Sequence, residues 1–414
     1  MGGMSILTGM RVVESSAFVA VPLAGMTLAQ MGADVIRFDL PTGGMDAKRW
    51  PVTRDGQSLF WAGMNKGKRS VALDVKSPRG REIAQEIICA PGPDAGLFIT
   101  NLAVKGWTDY DTLSQRRGDL CMVQLRGDRH GRPAVDYTVN PQLGFPMATG
   151  GKGSADPVCH VLPAWDCIAG NMVVSGLLAA ERHRLRTRQG QLADLTLKDA
   201  ASAMLGNLGI IGEVQVNGET REKHGNALYG AYGQDFLCAD GRRVMVIALT
   251  LRQWKTLCRV TGTETDMNYL SGALNADLDT EAARWEHRAA ITKVLTPWFA
   301  ARGLADFADL FDKAGVTWSV FRSFAEAVAE DPDISTANPM FAEIDQPGVG
   351  RMLTPGSPFS FAGYGRDKPR PAPILGQHTE EVLADVARLT DGEIGRLIDD
   401  GVAMQPGDRL RMAS

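Results

Sequence analysis

The sequence predicts an α/β protein, with a parallel sheet in its first part and a smaller α+β unit in its second. Three observations carry that expectation. Short β-branched and apolar runs alternate with helical patterns from Met10 onward, the rhythm of βαβ units. Near residue 226 the pattern changes to a hairpin followed by helices. Eight prolines between Pro332 and Pro373 then punctuate an extended return to a last helix, which suggests that the chain end re-packs on the first unit. The expected division is 1–225, 226–330 and 331–414.

Met10–Glu14 reads as a strand, Ser15–Ala20 as a small-residue turn, and Pro22–Met31 as a helix with proline in its first turn. Gly32-Ala33-Asp34 leads to a second strand, Val35–Asp39. The first turn has no G-x-G-x-x-G, so a dinucleotide fingerprint is absent. A polar loop, Leu40–Lys68, carries Lys48, Arg49, Trp50, Trp61, Lys66 and Lys68, with Arg69 at its end. Singly these are surface residues; together they could receive an anionic, partly aromatic ligand. Ser70–Asp74 is a third strand, Pro78–Ile88 a helix, Gly96–Thr100 a fourth strand, Tyr110–Arg116 a helix and Leu120–Leu125 a fifth strand.

Residues Cys159–Gly170 place one acid, Asp166, in an apolar run before a small-residue helix, Gly170–Arg182. Asp166 can serve as an N-cap or as a carboxylate nucleophile toward an activated acyl group; the pattern leaves both open. Gln191–Leu195 is a strand and Leu197–Glu213 a long helix containing Gly206, Gly209 and Gly212. In the second unit, Asp235–Leu249 reads as a hairpin turning at Asp240-Gly241. Helices follow at Arg252–Val260, Thr280–Phe299 and Leu304–Ala314, then a strand at Thr317–Phe321. Thr379–Leu389 is the expected final helix.

A formal charge of -4 gives no reason to expect nucleic acid as a partner. Six cysteines without a CxxC read as reduced structural residues. With neither a signal peptide nor an apolar run long enough for a membrane span, the chain reads as soluble and cytoplasmic. There is no Gly-x-Ser-x-Gly, P-loop or HExxH, and the six histidines are scattered, so no metal site is expected. Carboxylates remain as reactive groups: Asp166 first, then Glu14, Asp136 and Glu213. Tyr137, Asn140, His224 and Tyr229 are polar loop residues that could reach an acyl group.

An ordered set of segments resembles the class III (CaiB/BaiF-type) coenzyme A transferases. They are GMRVVESSAFVAVPLAGMTLAQMGADVIRFDLPTGG (9–44), NKGKRSVALDVKSPRGRE (65–82), LFITNLAVKGW (97–107), RGDRHGRP (126–133) and GLLAAERHRLRTRQGQLADLTLKDAA (176–201). The Asp166 stretch, TANPMFAEIDQPGVG (336–350) and APILGQHTEEVL (372–383) complete it. The resemblance implies a Rossmann-like large domain built from both chain ends, a smaller α+β domain and an interlocked homodimer. It implies an acyl-CoA substrate, with CoA entering as part of that substrate and no permanently bound cofactor. Asp166 matches the family's nucleophile; Ser16, Ala17, Phe18 and Asn101 match its CoA contacts, with Arg37 and Lys105 as looser matches. Lys48, Arg49 and Arg69 are added by charge. The related racemases carry a histidine where this chain has Val135, which argues against proton shuttling. KRWPVT, LFWAGMNKGKRS, DYTVNPQLG and HVLPAWD resemble, beyond the general pattern, members that move CoA between the two carboxyls of one branched C5 dicarboxylate.

Overall fold

The computed structural model describes residues 5–406. Six short apolar segments form a parallel sheet: β1 (Arg11–Ser15), β2 (Asp34–Asp39), β3 (Arg69–Leu73), β4 (Leu97–Thr100), β5 (Cys121–Arg126) and β6 (Gln191–Thr196). Their spatial order is β3-β2-β1-β4-β5-β6, and the two-residue strand Ala403–Met404 pairs antiparallel with the outer edge of β3. Strands of a parallel sheet are covered on both faces and read as continuous apolar runs; all four residues of β4 are buried accordingly.

Helices α1 (Ala20–Gln30), α2 (Leu59–Met64), α3 (Pro78–Ile88) and α4 (Tyr110–Arg116) fill the first crossovers. Ser77 and Asp109 cap α3 and α4 by accepting from Gly80 N and Thr112 N. After β5 come α5 (Asp136–Val139), α6 (Phe145–Ala148) and the 24-residue α7 (Ala164–Thr187). Gly170 lets α7 lie against the start of α1, since a Cβ there would meet the Ala20 carbonyl oxygen at 2.6 Å.

Both chain ends build the large unit. Val382 and Leu383 from the helix Thr379–Asp385 and Ile394 and Leu397 from Asp391–Asp399 join Phe38, Val71, Leu73, Ile83 and Phe98 in one buried cluster. Each such aliphatic or aromatic side chain contributes about 1.5–3 kcal/mol through its removal from water. The Pro-rich return contains a hairpin, Phe341–Gln346 with Gly350–Pro355, that was not expected from the sequence. Gln346 exchanges two 2.9 Å hydrogen bonds with the Ala372 backbone, and Trp61 Nε1 donates to Pro373 O at 2.7 Å.

Contacts divide the described residues into 5–143, 160–212 and 331–406 on one side and 144–159 with 213–330 on the other. The second unit therefore takes in 144–159 and 213–225 as well as the expected 226–330. Gly225 N donates to Gly150 O at 3.1 Å and Lys223 Nζ to Asp156 O, which ties 144–159 to that unit. Its three-stranded antiparallel sheet, Tyr232–Leu237, Arg243–Ala248 and Thr317–Val320, backs a helical layer. Phe236 stacks on Phe299 at 4.2 Å and Trp298 on Phe311 at 5.4 Å.

Two expected helices are broken. Leu197–Glu213 is α8 (Leu197–Asn207) and α9 (Ile210–Asn217), parted where Gly209 takes φ +77°. Thr280–Phe299 divides at His287 into Glu281–Glu286 and Arg288–Ala300. Among the described residues, no helix is long and apolar enough to cross a membrane, and no group of three or more His, Cys, Asp or Glu is placed to hold a metal.

Candidate active site

The strand order reverses between β1 and β4, and in open parallel sheets ligands bind beyond the carboxyl ends of the strands at such a switch point. A cavity of about 530 Å³ lies there, lined by the segments that leave β1 (Phe18, Val19), β4 (Asn101) and β5 (Arg126, Gly127). Asp136, Tyr137 and Asp166 line it as well, with Arg49, Trp50 and Phe60 from the polar loop.

The turn after β1 is held from three sides. Asn101 accepts from Ala17 N at 2.9 Å and donates to Ala17 O at 2.8 Å. Phe18 sits at φ +68°, a conformation that costs a bulky residue about 1–3 kcal/mol. Its N–H donates to Asp46 Oδ1 at 3.0 Å. Asp46 in turn accepts from Arg37 Nη2 at 3.2 Å. Arg37 is 1% exposed and also binds Asp39, Asn65 Oδ1 and Ser16 O, while Trp61 faces its guanidinium at 4.7 Å. These neighbours raise its pKa against the opposing effect of burial. Arg37 thus shapes the turn from behind and does not reach the cavity.

Asp166 is the third residue of α7, and it is not the cap. The cap comes from another segment: Asp136 Oδ2 accepts from Trp165 N at 2.8 Å and from Asp166 N at 3.3 Å. Asp136 is 2% exposed, and its Oδ1 has no hydrogen-bond partner among the described residues. Trp165 is buried behind the helix start, its indole donating to Asn140 Oδ1 at 3.1 Å. Asn140 is thereby a support for Trp165, not a cavity residue. Burial first, and the Asp136 charge second, push the Asp166 carboxyl up to about 6, with Arg49 pulling it back. The site can present a poorly solvated carboxylate at neutral pH, the condition for a carboxylate nucleophile.

That value predicts a pH dependence. Attack needs the ionised carboxylate, so kcat/KM is expected to fall about tenfold per pH unit below about 6 and to level off above it. Asp136→Asn keeps an oxygen for the helix amides and removes the charge, so the acid limb is expected to move to lower pH; a pH–rate series on both proteins checks this.

The other sequence candidates are placed as follows. Ser16 is buried and donates to Glu14 Oε1 at 2.6 Å. Tyr137 lines the cavity and donates to Val161 O at 3.2 Å. Lys48 belongs to a separate cavity of about 300 Å³, beside Trp61, Gln346 and Met404. Arg69 is occupied by Asp34, Glu381 and Asp385 at 2.6, 3.1 and 3.0 Å. Those ion pairs tie the helix Thr379–Asp385 and β2 to β3 and leave Arg69 no free fork. Lys105 is exposed and outside the cavity lining. In the second unit, His224 and Tyr229 pack on Trp285 at 4.9 and 5.1 Å, with the Tyr229 hydroxyl donating to Glu213. Trp50, already part of the loop read as a place for a partly aromatic ligand, and Phe60, which the sequence reading missed, supply the cavity's aromatic side. Val135 lines the cavity as well.

Residues 7–379 match CoA-transferase family III, and the chain belongs to that family. It is 54% identical over 402 residues to 2-methylfumaryl-CoA isomerase of Chloroflexus aurantiacus, covering 97% of this chain and 98% of that one. Succinyl-CoA:mesaconate CoA-transferase of Haloarcula hispanica is 26% identical, over 92% of this chain and 96% of its own. Among solved structures, a CAIB/BAIF family protein from Brucella suis superimposes with a TM-score of 0.74 at 25% identity, over 92% of this chain and 99% of its own.

Proposed function

We propose that this protein is an intramolecular CoA transferase that converts 2-methylfumaryl-CoA to 3-methylfumaryl-CoA, with Asp166 as the nucleophile, in a 3-hydroxypropionate route of carbon fixation. The observation that carries the reading is a carboxyl raised to about 6 in a cavity at the sheet's switch point. The high identity to an isomerase of that name supports the substrate. The expected interlocked homodimer and cytoplasmic location belong to the same reading.

In the first step an Asp166 oxygen attacks the C1 thioester carbonyl. The C–S bond breaks, and CoA leaves as thiolate, so that a mixed anhydride joins Asp166 to the acid's C1. The thiolate then attacks the Asp166 carbonyl, the anhydride C–O bond breaks, and the acid is freed as a carboxylate. CoA now sits on Asp166 as a thioester. The acid's C4 carboxylate attacks that thioester, the thiolate leaves again, and its attack on the C4 carbonyl returns Asp166 as a carboxylate. No proton is gained or lost overall, and the steps call for no resident metal or cofactor. Retaining the acid makes each later attack effectively intramolecular, which can supply several kcal/mol of the barrier.

Family relatives that use a second, free acid make an intermolecular transfer the competing reading. Turnover of 2-methylfumaryl-CoA in the presence of isotopically labelled free mesaconate separates the two. The intramolecular reading expects unlabelled 3-methylfumaryl-CoA; label in the thioester product at the rate of turnover would overturn it.

A further inference from the structure

The proposed reaction needs a group that holds the substrate's free carboxylate, and Asp136 and Asp166 make the cavity hostile to one. Two cations line it, Arg49 and Arg126. Arg126 is already taken: its Nε donates to Asp194 Oδ1 at 2.9 Å and its Nη2 bonds Asp194 Oδ2. The Arg49 guanidinium has no carboxylate or hydrogen-bond partner among the described residues. It is nevertheless fixed, lying between the Phe18 and Phe60 rings at 5.1 and 4.9 Å. Its backbone is tied as well, with N donating to Asp46 O at 3.1 Å and O accepting from Ser58 Oγ at 2.6 Å. Contact with two aromatic rings restrains the guanidinium, and a restrained planar fork loses less freedom on binding a planar carboxylate.

Resting on the function proposed above, we infer that Arg49 binds the free carboxylate of the dicarboxyl thioester and so selects dicarboxylic over monocarboxylic acyl-CoA. One cation serves both directions. Whichever carboxyl faces Asp166 as thioester or anhydride, the other is the free anion, and the two ends exchange these roles during turnover. Arg49 and Asp166 line the same cavity, and the guanidinium favours the ionised form of that carboxyl. The CoA phosphates are removed from those atoms by the length of the pantetheine arm.

Equilibrium binding in the Asp166→Asn background tests this without turnover. The ligands are 2-methylfumaryl-CoA and 2-methylcrotonyl-CoA, which has the same skeleton with a methyl in place of the free carboxylate. Adding Arg49→Gln is expected to weaken the dicarboxyl thioester by at least about tenfold and the monocarboxyl thioester by less than about twofold. Arg49→Lys, keeping the charge without the fork, should fall between. Retained binding of 2-methylcrotonyl-CoA doubles as evidence that the variant is folded. Equal weakening of both thioesters, or of neither, would overturn the assignment. Isomerisation by the unmodified enzyme, measured separately, reports on the proposed function itself.

Discussion

Asp166→Asn is expected to reduce isomerisation of 2-methylfumaryl-CoA by at least about 10⁴-fold, because an amide cannot attack the thioester. The same substitution is expected to stabilise the folded protein at pH 8. The folded-state value of Asp166, about 6, lies above the ordinary aspartate value near 4. The folded protein therefore holds that proton more tightly than the unfolded chain does. Ionisation costs the folded state nothing below the unfolded value and its full penalty above about 6. Two units correspond to about 3 kcal/mol, and partial exposure of the carboxyl reduces the expected gain to about 1–2 kcal/mol. Thermal unfolding of both proteins at pH 8 and pH 4 checks the sign: the variant's advantage should be present at the first and lost at the second.

Glu14→Gln is expected to destabilise the large unit by about 3–5 kcal/mol. Glu14 and Lys68 are both fully buried, with Lys68 Nζ 2.8 Å from Glu14 Oε2, and Ser16 and Arg37 close the same cluster. Burial pushes the Lys68 amine down to about 8 even with Glu14 opposing the shift. Without the carboxylate, Lys68 must stay charged and unpaired or lose its proton. Deprotonating a lysine of ordinary pKa at pH 7 costs about 5 kcal/mol, which sets the ceiling. Gly25 reports how closely this carboxylate is enclosed, since a Cβ there would lie 1.7 Å from Glu14 Oε2. Urea unfolding followed by a large-unit signal measures the loss, and Glu14→Leu with Lys68→Met is expected to recover part of it.

The sequence was most legible where a helix carries its own punctuation. Ser77-Pro78 and Asp109 mark the starts of α3 and α4, and Gly315 ends Leu304–Ala314 at φ +73°. The start of α7 was misplaced by six residues because its cap, Asp136, is supplied from another segment, and no local pattern announces that. The glycines of Leu197–Glu213 were visible, but only the positive φ at Gly209 makes one of them a break. For the site, Asp166, Phe18 and Asn101 were named by resemblance to the family, and all three line the cavity at the strand-order reversal. Charge alone was an uneven guide: Arg69 is consumed by acids from distant segments, whereas Arg49 is not.

The most direct measurement is intact-protein mass spectrometry of the enzyme mixed with 2-methylfumaryl-CoA, followed by hydroxylamine trapping and peptide mapping. An adduct on Asp166, formed alongside the C4 thioester, is the predicted result. Absence of any adduct together with undiminished turnover by Asp166→Asn would contradict the account.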